Sequence, residues 1–259
     1  MIHGMWGGGH YWENYKIFFE QQGYKCVATT LRFHDMNPDD TPDPRLGTTS
    51  LLDYADDLEK EIRQLDIKPI IMGHSMGGLL AQMLASRGLA KALILLTPAA
   101  PAGILSLTPS VVRSFLKITM RWGFWKKPAR QTFKAAAYSV LHMLTPEEQK
   151  KAYDKYVDES GQAIHEIAFW LLDFNKASKV DETKVTCPTL VIGSTKDRIT
   201  PASVTRKIAN KYKAVAAYKE FENHSHWVVA EPGWQEVAGY AADWLKSKAH
   251  PDSTGTRKI

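Results

Sequence analysis

The stretch KPIIMGHSMGG, residues 68–78, constrains this chain more than any other. An apolar, β-branched run ends at Gly73 and a helical pattern opens at Met76, so a strand must turn into a helix within a few residues. A turn that sharp holds its central residue, Ser75, in a strained conformation with the side chain presented outward. Gly73 and Gly77, two positions to either side, relieve the clash. The start of the following helix favours negative charge on whatever forms at Ser75.

Other apolar runs repeat the strand half of this pattern. YKCVATTL (24–31), KPIIMGH (68–74), KALILLT (91–97), TLVIGST (189–195) and AAYKEFE (216–222) read as strands. Helical periodicity occupies 11–22, 51–66, 76–87, 202–212 and 234–247. Gly23 and Gly88 read as helix stops, and Pro201 and Pro232 lie near helix starts. Alternation of this kind predicts an α/β fold, a mostly parallel sheet flanked by helices.

Residues 101–185 break the rhythm, being helical in period, rich in Trp and Phe, and without a convincing strand. They are expected to form a helical cap inserted into a core made of 1–100 and 186–247, with a flexible polar tail at 248–259. A chain of 259 residues, 44% hydrophobic, suits one such domain.

The net charge of +5 comes without any nucleic-acid motif, and no nucleic-acid partner is expected. No run reaches the roughly 20 apolar residues of a membrane span, and no basic-then-apolar leader opens the chain. Cys26 and Cys187, far apart, read as free buried thiols, and a cytoplasmic location is expected. Nothing among the nine histidines has metal-ligand spacing, so neither metal nor cofactor is expected.

A serine hydroxyl needs a base to become a nucleophile, and the base needs an orienting carboxylate. GSTKDRITP places Asp197 just beyond a strand, at the carboxyl edge where open α/β sheets bind ligands. Asp173, within FWLLDFNK, competes with it but reads as a capping or solvent-facing residue. FENHSHWVVAEP offers two histidines after the last strand. His226, 29 positions after Asp197 and followed by Trp227, is preferred, with His224 the runner-up. His74 reads as packing beneath the turn, and His3 as bonding to nearby backbone.

Taken together, HGMWGGGHYW, GHSMGGLLAQ, GSTKDRITP and HSHWVVAEP resemble the α/β-hydrolase superfamily, in its cap-bearing serine esterase and lipase-like branch. The resemblance implies Ser75, Asp197 and His226 as catalytic residues. It also implies an oxyanion hole formed by the N–H groups of Met5 and Met76. Trp6, His74, Trp122, Trp125 and Trp227 are expected to touch the substrate. Members of this superfamily carry a central strand before the His-Gly loop, whereas only Met1 and Ile2 precede His3 here. The N-terminal strands are therefore expected to be truncated, and a gap at that position would leave backbone groups of the neighbouring strands unpaired.

A serine at the turn disfavours the dehalogenases and epoxide hydrolases of this fold, which use a carboxylate there. The expected activity is hydrolysis of short- to medium-chain acyl esters through an acyl-enzyme, without a cofactor. C–C bond cleavage, lysophospholipase or monoacylglycerol lipase-like activity, and a ligand receptor without turnover are the alternatives. Residues 101–146 contain no Asp or Glu but do contain Arg113, Lys117, Arg121, Lys126, Lys127, Arg130 and Lys134. Two readings stand: a basic, aromatic entrance that draws anionic substrates or rests on a lipid surface, and a solvated helix face whose aromatics pack on the core. The second is favoured.

Overall fold

The structure, a computed structural model, describes residues 1–249. The expected tail falls outside the described residues from 250 onward. Six strands occur among those residues: β1 (Ile70–His74), β2 (Ala92–Leu96), β3 (Pro128–Ala129), β4 (Glu159–Ser160), β5 (Thr189–Ser194) and β6 (Ala216–Phe221). The helices are α1 (Glu13–Gln21), α2 (Leu51–Ile62), α3 (Met76–Ser86), α4 (Pro109–Thr119), α5 (Phe133–Ser139), α6 (Pro146–Tyr153), α7 (Gly161–Ala168), α8 (Ala202–Lys211) and α9 (Trp234–Ala249).

The main sheet is parallel, in the order β1-β2-β5-β6. All five residues of β2 are buried, as expected for a strand covered on both faces. Ala92, Ile94 and Leu96 pack with α1 and α9, whereas Leu93 and Leu95 pack with α2, α3 and α8. Two apolar layers thus form on one sheet, and the alternating side-chain directions of the strands separate them.

The N-terminal segment contributes a single bridged residue and leaves no gap beside β1. Ile2 bridges Thr29 on one side and Gly73 on the other, both in parallel. Its N–H donates to the Met72 carbonyl at 2.8 Å, and its own carbonyl accepts from the His74 N–H at 3.1 Å. The position beside β1 is therefore occupied, and the Met72 carbonyl and His74 N–H that face it are paired. The predicted strand at 24–31 is reduced to a single bridge at Thr29, whose N–H donates to the Met1 carbonyl at 3.1 Å.

Residues between β2 and β5 lie over the carboxyl ends of the sheet strands. They are mostly helical, but the antiparallel pair β3-β4 corrects the expectation that no strand occurs there. Buried polar bonds tie this region down. Glu166 of α7 accepts from the Ser50 hydroxyl and the Leu51 N–H, both at 2.7 Å, at the start of α2. Glu159 of β4 meets His34 at 3.1 Å and the Tyr54 hydroxyl at 2.9 Å.

Candidate active site

Ser75 sits between β1 and α3 with φ 54° and ψ −121°, a left-handed conformation that is costly for a residue with a Cβ. The flanking glycines explain how the chain tolerates it. A Cβ on Gly73 would stand 2.2 Å from the Gly77 carbonyl oxygen, and a Cβ on Gly77 would stand 2.2 Å from that of Ile2. Strand and helix close so tightly that only hydrogen fits at either position. The Ser75 hydroxyl caps no N–H of α3.

Beyond β5, Asp197 turns back on its own loop: Oδ1 accepts from the N–H of Ile199 at 2.7 Å and of Thr200 at 2.8 Å. Its Oδ2 accepts from Nδ1 of His226 at 2.8 Å, with both side chains buried. Burial by itself would raise the Asp197 carboxyl. The His226 imidazole and the two amides outweigh burial and hold it below the ordinary carboxylate range. A proton fixed on Nδ1 leaves Nε2 as the ring nitrogen available to the cavity that His226 shares with Ser75.

Two residues not anticipated from the sequence support this pair. The Thr200 hydroxyl lies 2.9 Å from both Asp197 Oδ2 and the Thr97 carbonyl oxygen. His74 donates from Nε2 to the His226 carbonyl at 2.7 Å, and Thr97 donates to the same oxygen at 3.4 Å. Burial, and then the nearby His226, push His74 down to about 3, so it is a neutral donor at working pH. Thr200 stands three positions after Asp197, the reach of an Asx-type turn, and that spacing was the available signal.

The glycine-rich loop after Ile2 forms the opposite wall. His3 accepts from the Leu31 N–H at Nε2, 3.1 Å, which leaves Nδ1–H to donate to the Gly4 carbonyl at 2.8 Å. Among the described residues, neither Met5 N–H nor Met76 N–H has a backbone acceptor. Trp6 carries φ 63° and donates from its indole to the Ala129 carbonyl at 3.0 Å.

Ser75 stands where two lobes meet. The smaller, about 20 Å³, is lined by Trp6, Tyr11, His74, Tyr156, His226 and Trp227 among others. The larger, about 260 Å³, runs under α4 and α7 between residues such as Ala100, Leu107, Val111, Phe115, Ile164 and Phe169, and no charged side chain lines it. Met5, Phe115 and Ile199 belong to both.

The structure therefore gathers Ser75, His226, Trp6, His74, Trp227 and Met5 around one space, with Asp197 behind His226. Trp122 and Trp125 are elsewhere. Trp122 is 88% exposed, while Trp125 stacks edge-on against Trp122 and Phe124, and neither lines either lobe. The expectation that Trp122 and Trp125 touch the substrate is corrected accordingly, as is the expectation that all the aromatics pack on the core. His224 turns away to Glu231, with Nδ1 2.9 Å from Oε1. Asp173 caps its own turn, accepting from the N–H of Ala177 at 2.6 Å. Among the described residues no group of His, Cys, Asp and Glu could hold a metal ion.

A strained hydroxyl at a helix start, a histidine oriented by a buried carboxylate and two unpaired amides form a set that can move a proton and stabilise a nearby anion. Residues 1–239 match the model of the alpha/beta hydrolase family, and the chain belongs to that family. Among solved structures it is similar to a pyrethroid hydrolase from Sphingobium faniae, with 19% identity and a TM-score of 0.72 over 96% of this chain and 97% of that one. It is also similar to a monoacylglycerol lipase from Paleococcus ferrophilus, at 21% identity and TM-score 0.68 over 95% and 92% of the two chains. A methylesterase from Arabidopsis gives 12% identity and 0.69 over 95% and 98%. At such identities the likeness is one of fold. No curated protein matches the sequence.

Proposed function

We propose that this hydrolase is a serine carboxylesterase acting on short- to medium-chain acyl esters. The observation that carries the reading is the Nδ1–Oδ2 bond of 2.8 Å between buried His226 and Asp197, beside a strained Ser75 on the same cavity. His226 takes the Ser75 proton as Oγ attacks the ester carbonyl, and the N–H groups of Met5 and Met76 receive the developing oxyanion. His226 then protonates the leaving alcohol, and water repeats the cycle to release the acid.

Substrate contacts fall to Trp6, His74 and Trp227 in the small lobe and to the apolar walls of the large one. An uncharged large lobe favours a neutral ester over the anionic substrates of a C–C hydrolase. Residues 101–185 serve as the cap over a core of 1–100 and 186–247. Free Cys26 and Cys187 are compatible with a reducing, cytoplasmic setting.

The test is hydrolysis of p-nitrophenyl esters from acetate to palmitate, with Ser75→Ala alongside. Turnover that peaks at a short or medium acyl length and disappears in the variant is expected. Folded protein with no serine-dependent turnover would overturn the reading.

A further inference from the structure

The outer side of α4 inverts the usual order of a surface helix. Ser114 and Ile118 face inward and are buried, so the opposite side should be polar. Instead Val112, Leu116 and Met120, spaced four apart, form an exposed apolar row, with Met120 76% exposed. Beside it, one residue further round the helix, runs a second row: Arg113, Lys117 and Arg121, all exposed. Lys126 and Lys127, further along the chain, are exposed as well.

The apolar surface does not end with the helix. Leu105, Leu107 and Val112 share the rim of the large lobe with Phe169 and Trp170. The following turn exposes Leu171, Leu172 and Phe174, the last at 98%. Trp122 joins the same surface through Trp125 and His165, whose ring lies 5.6 Å from that of Phe169. Most large side chains on a soluble surface are exposed singly, whereas a contiguous apolar patch of this kind marks a contact.

Charge identifies what the contact is with. No acidic residue occurs in 101–146. The three acidic residues between 159 and 180, namely Glu159, Glu166 and Asp173, are all buried. The patch is thus apolar at its centre and basic along one edge, with half-buried Asp158 offsetting part of the Arg121 charge. This net positive edge complements anionic headgroups over hydrocarbon. Among the described residues no helix is long and apolar enough to cross a membrane.

We infer that the α4 face and the 169–174 turn dock on an anionic lipid surface, with the mouth of the large lobe turned toward it. Apolar esters dissolved in the lipid would then reach Ser75 without crossing water. This delivery step rests on the esterase reading above, but the docking does not.

Flotation of the purified full chain with phosphatidylcholine vesicles, with and without phosphatidylserine, tests the docking directly. Co-flotation with the phosphatidylserine vesicles is expected, weakening at high salt as headgroup charge is screened. Leu172→Ser and Phe174→Ser together should lower vesicle affinity at least about tenfold. Their melting temperature and their hydrolysis of a water-soluble p-nitrophenyl ester should stay unchanged, because neither residue lines the cavity. Lys117→Glu with Arg121→Glu should remove the preference for phosphatidylserine.

Absence of flotation with both vesicle types overturns the docking, as does equal flotation of the Ser variants. A concentration-dependent dimer in lipid-free solution, dispersed by Phe174→Ser, would assign the face to a second copy of the chain and overturn it too. Failure of ester hydrolysis alone would sink the esterase reading and leave the flotation result standing.

Discussion

His226 and His224 are two residues apart, yet their surroundings assign them different work. The first is held by Asp197 at the cavity and the second by Glu231 away from it. Ser75→Ala and His226→Ala should each lower kcat by about 10⁴ or more. Asp197→Asn should approach the same loss, since it removes the acceptor that sets the histidine tautomer. His224→Ala should leave kcat within about threefold and instead cost about 1–3 kcal/mol of stability, because a buried Glu231 loses a partner. Steady-state kinetics with thermal melts of the four variants separates these outcomes. A dead His224→Ala and an active His226→Ala would reverse the assignment. Residue type and order were enough to propose the serine, acid and histidine. The role of Thr97 was not legible, because its contact with the His226 carbonyl comes from a segment distant in the chain, whereas Thr200 stands within turn reach of Asp197.

The strand–Ser75–helix turn is the element on which the site depends, and its tightness has a measurable consequence. Gly77→Ala would drive a methyl to within 2.2 Å of the Ile2 carbonyl oxygen, so the strand edge or the helix must shift. The expected loss is about 1–3 kcal/mol, seen as a melting temperature lower by several degrees, with kcat falling as Ser75 is displaced. An unaltered melt would show that the turn has more room than the geometry allows. Periodicity located α1, α2, α3, α8 and α9 and the four strands of the main sheet. It overreached at 24–31, where an apolar run finds only Ile2 beside it, and it missed β3 and β4, two residues each and too short to show a period.

At the scale of the whole molecule, buried polar ties hold the region over the cavity to the sheet domain. His34 faces the Arg32 carbonyl through Nδ1 at 3.0 Å and Glu159 through Nε2 at 3.1 Å, an arrangement that favours the charged ring. Burial opposes that charge, but Glu159 prevails and raises His34 above its ordinary value. A histidine whose proton is bound more tightly in the fold stabilises it fully below about pH 6.5, its unfolded value. That stabilisation is lost as pH rises through the folded value. The buried Met1 ammonium, lowered to about 6 by burial, contributes the opposite slope between about pH 6 and 8. The His34 share is therefore read as the difference between the native chain and His34→Gln in chemical denaturation, a gap that should narrow above about pH 6.5. His34→Gln should be weaker by about 3–5 kcal/mol at pH 6; parallel profiles would remove His34 from the account. The sequence by itself determined the α/β alternation, the Ser75 turn and the order serine, acid, histidine, because local periodicity and turn sterics act within a few residues. Only the tertiary structure decided that Ile2 pairs beside β1, that His34 and Glu159 meet in the interior, and that Trp122 faces outward while Trp6 and Trp227 line the cavity. Each of those depends on which distant surfaces pack together, and burial then decides which charge is paired and which ring stays exposed.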